Sequence, residues 1–228
     1  MASQMETIST TTTVSKHSQQ RLPPNTQLSL WLVPPEPQRT TLQSEIDRLA
    51  KQYGGPTFPP HVTLMGRIEV TTLQEQQLVI DRLHSAIRRR QQQQQPGSIK
   101  CRFESFLTFP QCWNQALIAE MEQTPDLIEL CDLVRQAVGQ TQSGWKFPSP
   151  SNVPHLSLFY GTEDSVPAIT DISTVLLPLS FDAHKMEVYR LQTGLEYVPT
   201  WERMATIDLC YHDDDNSNIN CKNSIGSS

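Results

Sequence analysis

Two short stretches of the chain carry side chains able to move protons. Pro60-His61-Val62-Thr63-Leu64 is matched 94 residues later by Pro154-His155-Leu156-Ser157-Leu158. Each copy reads Pro, His, aliphatic, hydroxyl, Leu, and a glycine follows, Gly66 in one case and Gly161 in the other. An imidazole titrates near neutrality, so one His can accept a proton while a second, protonated, donates one. Placed on either side of a phosphodiester, two such groups allow general acid/base cleavage without a metal. The hydroxyls of Thr63 and Ser157 can donate hydrogen bonds to the non-bridging phosphate oxygens, where charge accumulates in the transition state.

Other chemistries fit these residues less well. A single His-x-Thr is common by chance and is more often a satisfied strand-end histidine; the matched Pro and Leu flanks of the second copy lift the pair above that background. Zinc favours three or four His, Cys or carboxylate ligands, whereas each His here is paired with a hydroxyl and no acidic residue adjoins either motif. The metal expectation is therefore none, and no cofactor is expected. Ser157 has no Gly-x-Ser-x-Gly elbow around it, which weakens a serine-hydrolase assignment. His17, His84, His184 and His212 lack the motif's context and are read as bland.

The motifs need strands to present them. Successive strand side chains point to opposite faces, so a His and a hydroxyl two residues apart share one face while Val62, Leu64, Leu156 and Leu158 enter a core. In chain order, Gln27–Val33 reads as a buried strand and Pro34-Pro35 stops it. Thr40 and Gln43 have capping-box spacing for a helix that ends at Gly54-Gly55-Pro56. The first motif strand runs from about His61 to Val70, followed by a helix over Thr71–Arg90 and a glutamine-rich loop at 91–95. Ser98–Leu107 and Trp113–Glu122 are expected to form a hairpin, and Thr124-Pro125-Asp126 opens a further helix. After a polar loop carrying Trp145 and Lys146, the second motif strand covers His155–Tyr160. A short helix near Val166–Val175 and strands near Lys185–Leu191 and Thr200–Tyr211 complete the folded part. The repeat suggests an α+β, bilobal duplicated fold, with two antiparallel sheets facing a central cleft and helices outside.

Composition bounds the rest. The 228 residues have a net charge of −6, 37% hydrophobic residues and a mean hydropathy of −0.43. The polar segments account for much of that low value: residues 1–24 read as a disordered arm and 213–228 as a disordered acidic and polar tail, leaving 25–212 as a single domain. The negative charge argues against a long nucleic acid held by phosphate neutralisation, but not against a small phosphate ester in a local pocket. No stretch approaches the length of a membrane span, and the amino terminus lacks an apolar signal core. Five cysteines show no metal spacing; Cys101 and Cys112, on neighbouring expected strands, are candidates for a redox-sensitive bridge. The chain is expected to be cytoplasmic and monomeric.

Paired His-x-Ser/Thr motifs in these flanks, together with the opening strand Ser29-Leu30-Trp31-Leu32-Val33-Pro34, resemble the two-histidine (2H) phosphoesterase superfamily, and within it the fungal and plant cyclic phosphodiesterases. The resemblance spans roughly Leu28 to Leu209. It implies that His61 and His155 are the catalytic acid and base, in an order the sequence leaves open, and that Thr63 and Ser157 hold the phosphate. Tyr160 matches a substrate-contacting tyrosine. The implied activity is metal-independent hydrolysis of 2′,3′-cyclic nucleotides to 2′-phosphates and of ADP-ribose 1″,2″-cyclic phosphate to the 1″-phosphate. A small cyclic phosphate is thus the expected partner, and peripheral Golgi association is an alternative location. An RNA end-processing exonuclease or ligase, and a non-catalytic cyclic-phosphate binding module, are the alternative functions.

Overall fold

The structure, a computed structural model, describes residues 20–93, 95–139, 154–162, 164–165, 175 and 177–210. Trp145, Lys146, most of the helix expected near Val166–Val175, and the tail from 211 onward lie outside the described residues. Among the described residues, eight strands and three α-helices follow one another as β1 (Thr26–Val33), α1 (Gln38–Tyr53), β2 (Val62–Glu69), α2 (Leu73–Gln92), β3 (Ile99–Leu107), β4 (Leu117–Met121), α3 (Pro125–Ala137), β5 (His155–Phe159), β6 (Ser180–Ala183), β7 (Lys185–Gln192) and β8 (Glu202–Asp208).

All strand pairs are antiparallel, in the order β6-β3-β4-β5-β2-β1-β7-β8. The α+β class and the antiparallel pairing are as expected, but the two separate sheets are not: the strands form one continuous sheet. Its two four-stranded halves meet between the motif strands, where a single register pair, Val62 with Leu156, joins β2 to β5. Within each half a strand, a helix and a motif strand repeat, as β1–α1–β2 and β4–α3–β5. Connectivity also requires curvature. β6 and β7 lie far apart in the strand order, yet only His184 separates Ala183 from Lys185, a span of roughly 7 Å at most. The sheet therefore curls until its β6 edge comes back to the start of β7.

Strand periodicity divides the sheet's faces cleanly. Leu28, Leu30, Leu32, Val62, Leu64, Leu156 and Leu158 are fully buried, in one cluster with Leu42 and Leu49 of α1, Leu83 of α2 and Leu127 and Leu130 of α3. Truncating one of these leucines to Ala should cost about 2–5 kcal/mol. Gln27, Ser29, Trp31, Thr63, His155 and Ser157 occupy the other face.

Several boundaries differ from the sequence expectations for identifiable reasons. α1 begins at Gln38, not at Thr40: the Glu36 carboxylate accepts from the Thr40 amide (3.2 Å) and hydroxyl (2.7 Å), replacing the expected Thr40–Gln43 box. Gln43 instead donates to Phe58 O at 3.2 Å, tying α1 to the loop that leads to His61. A capping box does exist at Thr72 and Glu75, opening α2. Trp113–Gln115 is a 3-10 turn, and β4 starts only at Leu117, so the second arm of the hairpin is shorter than expected. The short edge strand β6 was not expected at all. Gln20–Leu22, within the polar arm, are held against the start of α2, where Leu22 N–H donates to Thr71 O at 2.9 Å and Leu73 N–H to Gln20 O at 3.1 Å. Cys101 and Cys112 are free thiols, not a bridge.

Candidate active site

The curled face encloses a cavity of about 300 Å³, and His61, Thr63, His155, Ser157 and Tyr160 all line it. The strands meeting at the Val62–Leu156 pair thus bring both motifs to one place, as the spacing predicts. The loop before His61 is threaded tightly. Gly54 closes α1 with a left-handed φ of 78°, and a Cβ on Gly55 would stand 2.3 Å from Tyr160 O and 2.8 Å from the Phe159 ring. Only glycine lets this loop of the first half lie against the end of β5.

His61 is 3% exposed and sits among aromatic rings. Trp31 stacks on it with centroids 3.6 Å apart at 11°, and also stacks on Tyr189 at 3.9 Å. Phe58 meets His61 edge-on and stacks on Tyr160 at 3.7 Å. Trp31 is fixed in turn: its Nε1–H donates to Ser29 Oγ at 2.7 Å, and Ser29 Oγ donates to Met65 O at 3.2 Å. His61 Nδ1 lies 2.6 Å from Pro59 O. A carbonyl can only accept, so Nδ1 carries the hydrogen and the neutral ring keeps its Nε2 lone pair. Burial pushes the His61 pKa down to about 3, the Pro59 bond opposing and the nearby His155 adding to the effect.

His155, 4% exposed, rests against polar groups instead. Gln115 Nε2 lies 2.9 Å from His155 Nε2. An amide N–H can serve the neutral ring, and the same amide turned over presents its oxygen to the protonated ring. The 3-10 turn holds the second motif residue by residue. Trp113 O accepts from Gly161 N–H at 2.9 Å, Asn114 O from the Ser157 hydroxyl at 2.9 Å, and Gln115 meets His155. Burial pushes the Tyr160 hydroxyl well above the usual tyrosine range, with the nearby Ser157 opposing.

Four neighbours escaped the sequence reading: Trp31, Phe58, Asn114 and Gln115. A signal existed for Trp31, since it shares its strand face with Gln27 and Ser29 in an otherwise apolar segment. Asn114 and Gln115 are placed by the turn that replaces the expected strand, and nothing in their spacing announces it. Among the described residues, no three His, Cys, Asp or Glu side chains gather where they could hold a metal ion. No helix there is long and apolar enough to cross a membrane.

Solved structures share this fold. One, described as a phosphoesterase, has a TM-score of 0.54 at 14% identity, covering 80% of this chain and 97% of its own. Escherichia coli LigT complexed with 3′-AMP gives 0.53 at 16% identity, with 80% and 97% covered. LigT complexed with phosphate gives 0.51 at 15%, with 84% and 98% covered. A search of curated protein sequences found no match. The profile of the cyclic phosphodiesterase-like proteins matches residues 27–186, which is 160 of the 228 residues and includes both motifs. With both His-x-Ser/Thr motifs opening on one cavity inside the matched segment, the chain belongs to the cyclic phosphodiesterase-like family.

Proposed function

We propose that the protein hydrolyses small cyclic phosphates, taking 2′,3′-cyclic nucleotides to 2′-phosphates and ADP-ribose 1″,2″-cyclic phosphate to the 1″-phosphate. The observation that carries this is the convergence of His61, Thr63, His155 and Ser157 on one small cavity. Its volume falls at the lower end of small-ligand sites, which suits a mononucleotide better than an RNA strand. The net charge of −6 points the same way. LigT, which shares the fold, is seen with 3′-AMP.

The two histidines take different roles in this reaction. His61, neutral and with Nε2 unprotonated, removes a proton from water as its oxygen attacks phosphorus. The bond from phosphorus to the 3′ oxygen breaks, and protonated His155 gives its proton to that oxygen. Thr63 and Ser157 donate to the non-bridging oxygens; Ser157 turns from Asn114 O to do so. Turnover leaves His61 protonated and His155 neutral, and proton exchange with water resets the pair. Tyr160 steadies Ser157 and presents its ring to the substrate.

The test is to incubate the purified protein and 2′,3′-cyclic AMP with a chelator and identify the product by chromatography against 2′-AMP and 3′-AMP standards. 2′-AMP is expected. Unchanged substrate would sink the hydrolase assignment and favour a binding module. Preference for oligonucleotides ending in a cyclic phosphate over the mononucleotide would redirect it to RNA ends.

A further inference from the structure

The register of β1 against β2 breaks beside the cavity. Leu28 pairs with Ile68 and Leu30 with Met65, so Gly66 and Arg67 together stand opposite the single residue Ser29. This two-against-one arrangement is a β-bulge, a device that re-aims side chains next to active sites. The left-handed residue at such a bulge is commonly glycine, because a Cβ disfavours that conformation. Here it is Arg67, with φ of 58°. A strained position occupied by a long cationic side chain raises the question of what the side chain does there.

Arg67 is exposed and lines the same cavity as the motifs. Setting the two histidines aside, it is the only side chain there, among the described residues, that belongs to a charged residue type. No carboxylate lines the cavity with it, and none of the ion pairs among the described residues involves it. A guanidinium with no carboxylate partner, at the wall of an otherwise uncharged pocket, is suited to forked recognition of phosphate oxygens. Two register breaks lie between the motif and this residue: Thr63 pairs with Trp31, and Arg67 stands opposite Ser29, so Arg67 is on the wall beyond the motif and not within it.

We propose that Arg67 is a specificity residue that binds a second phosphate of the substrate, beyond the cyclic phosphate held by the two motifs. This rests on the cyclic-phosphate reading above and refines it: substrates with a further phosphate are preferred over a bare nucleoside cyclic phosphate. The second phosphate has two possible sources, the 5′-phosphate of a nucleotide or the pyrophosphate of ADP-ribose.

The decisive measurement is a ratio. kcat/KM is determined for adenosine 5′-phosphate 2′,3′-cyclic phosphate and for ADP-ribose 1″,2″-cyclic phosphate, each divided by kcat/KM for 2′,3′-cyclic AMP. Arg67→Ala should lower one or both ratios by about ten- to 150-fold, the range for a lost charge-assisted hydrogen bond. Arg67→Lys should fall between the two, and the effect should shrink as salt is raised. Arg67→Gly relieves the left-handed backbone, so it should lose the preference with an unchanged or higher melting temperature, which separates recognition from folding. A fall for the 5′-phosphate alone identifies a nucleotide end, and a fall for ADP-ribose cyclic phosphate alone identifies the pyrophosphate. Unchanged ratios overturn the assignment. Calorimetric titration with 2′-AMP and adenosine 2′,5′-bisphosphate repeats the comparison without turnover. A protein that hydrolyses none of the substrates therefore refutes the activity, while the role of Arg67 is still decided by whether the bisphosphate binds more tightly in an Arg67-dependent way.

Discussion

The two motif strands occupy equivalent places, β1–α1–β2 and β4–α3–β5 meeting at the centre of one sheet, yet their histidines rest in opposite surroundings. His61 lies between aromatic rings with its Nδ1–H tied to a backbone carbonyl. His155 faces the Gln115 amide, and its companion Ser157 is bound to a backbone carbonyl of the same turn. Apolar surroundings disfavour charge, and a polar partner able to present an oxygen tolerates it. Two similar strand settings thus hold their histidines in unlike packing, the contrast on which the proposed division into base and acid rests.

The largest effects should come from the histidines themselves. His61→Ala and His155→Ala are each expected to lower kcat on 2′,3′-cyclic AMP by about 10²–10⁴-fold, with the double variant little worse than the poorer single one. A substrate with sulfur in place of the bridging 3′ oxygen separates the roles, because a thiolate leaves without needing a proton. It should restore much of the rate of His155→Ala and none of the rate of His61→Ala. Rescue in the reverse pattern would exchange the two assignments.

The hydroxyls come next. Thr63→Val and Ser157→Ala should each cost about 10²-fold in kcat through lost transition-state hydrogen bonds. Only Ser157→Ala should also lower the melting temperature, since Ser157 anchors the Asn114 turn. Gln115→Leu is expected to cost about tenfold, the scale of one lost hydrogen bond to a charged group. Gln115→Glu places a carboxylate beside His155, favours its charged form and so moves the basic limb of the pH–rate profile to higher pH. A pH profile unchanged in both Gln115 variants would reduce that residue to packing.

These contrasts were unevenly legible in the sequence. Period-two alternation placed the histidines and hydroxyls on one face and Val62, Leu64, Leu156 and Leu158 on the other, and the structure keeps that division. Thr124-Pro125-Asp126 opened α3 as written, since a capping hydroxyl and Pro act locally. Tertiary partners decided what was missed. α1 is capped by Glu36 from outside the helix, and β6 is four residues whose only described partner, β3, lies some eighty residues earlier in the chain. Whether two halves form two sheets or one depends on the single Val62–Leu156 contact, which no local pattern encodes. Gln115 was hidden for a related reason: a turn, not a strand, aims it at His155.

The smallest effect at neutral pH, and the sharpest test of the asymmetry, concerns Trp31. Its ring covers His61, and burial is the main cause of the low His61 pKa of about 3. Trp31→Leu admits water, so that pKa should rise toward its ordinary value near 6.5. The base is competent only when unprotonated, so the acid limb of kcat/KM moves to higher pH, while the rate near pH 8 changes little beyond lost packing. Stability follows the same linkage. Below about pH 6.5 the unfolded chain takes up a proton at His61 that the folded protein refuses, so His61's share of stability is present above that pH and is lost progressively as pH falls toward 3, by up to about 1.4 kcal/mol per unit. Denaturation at a series of pH values should therefore show a shallower acid decline for Trp31→Leu than for the parent protein, from a lower starting stability. Parallel declines, with an unmoved acid limb, would mean that the Trp31 stack does not set the protonation of His61.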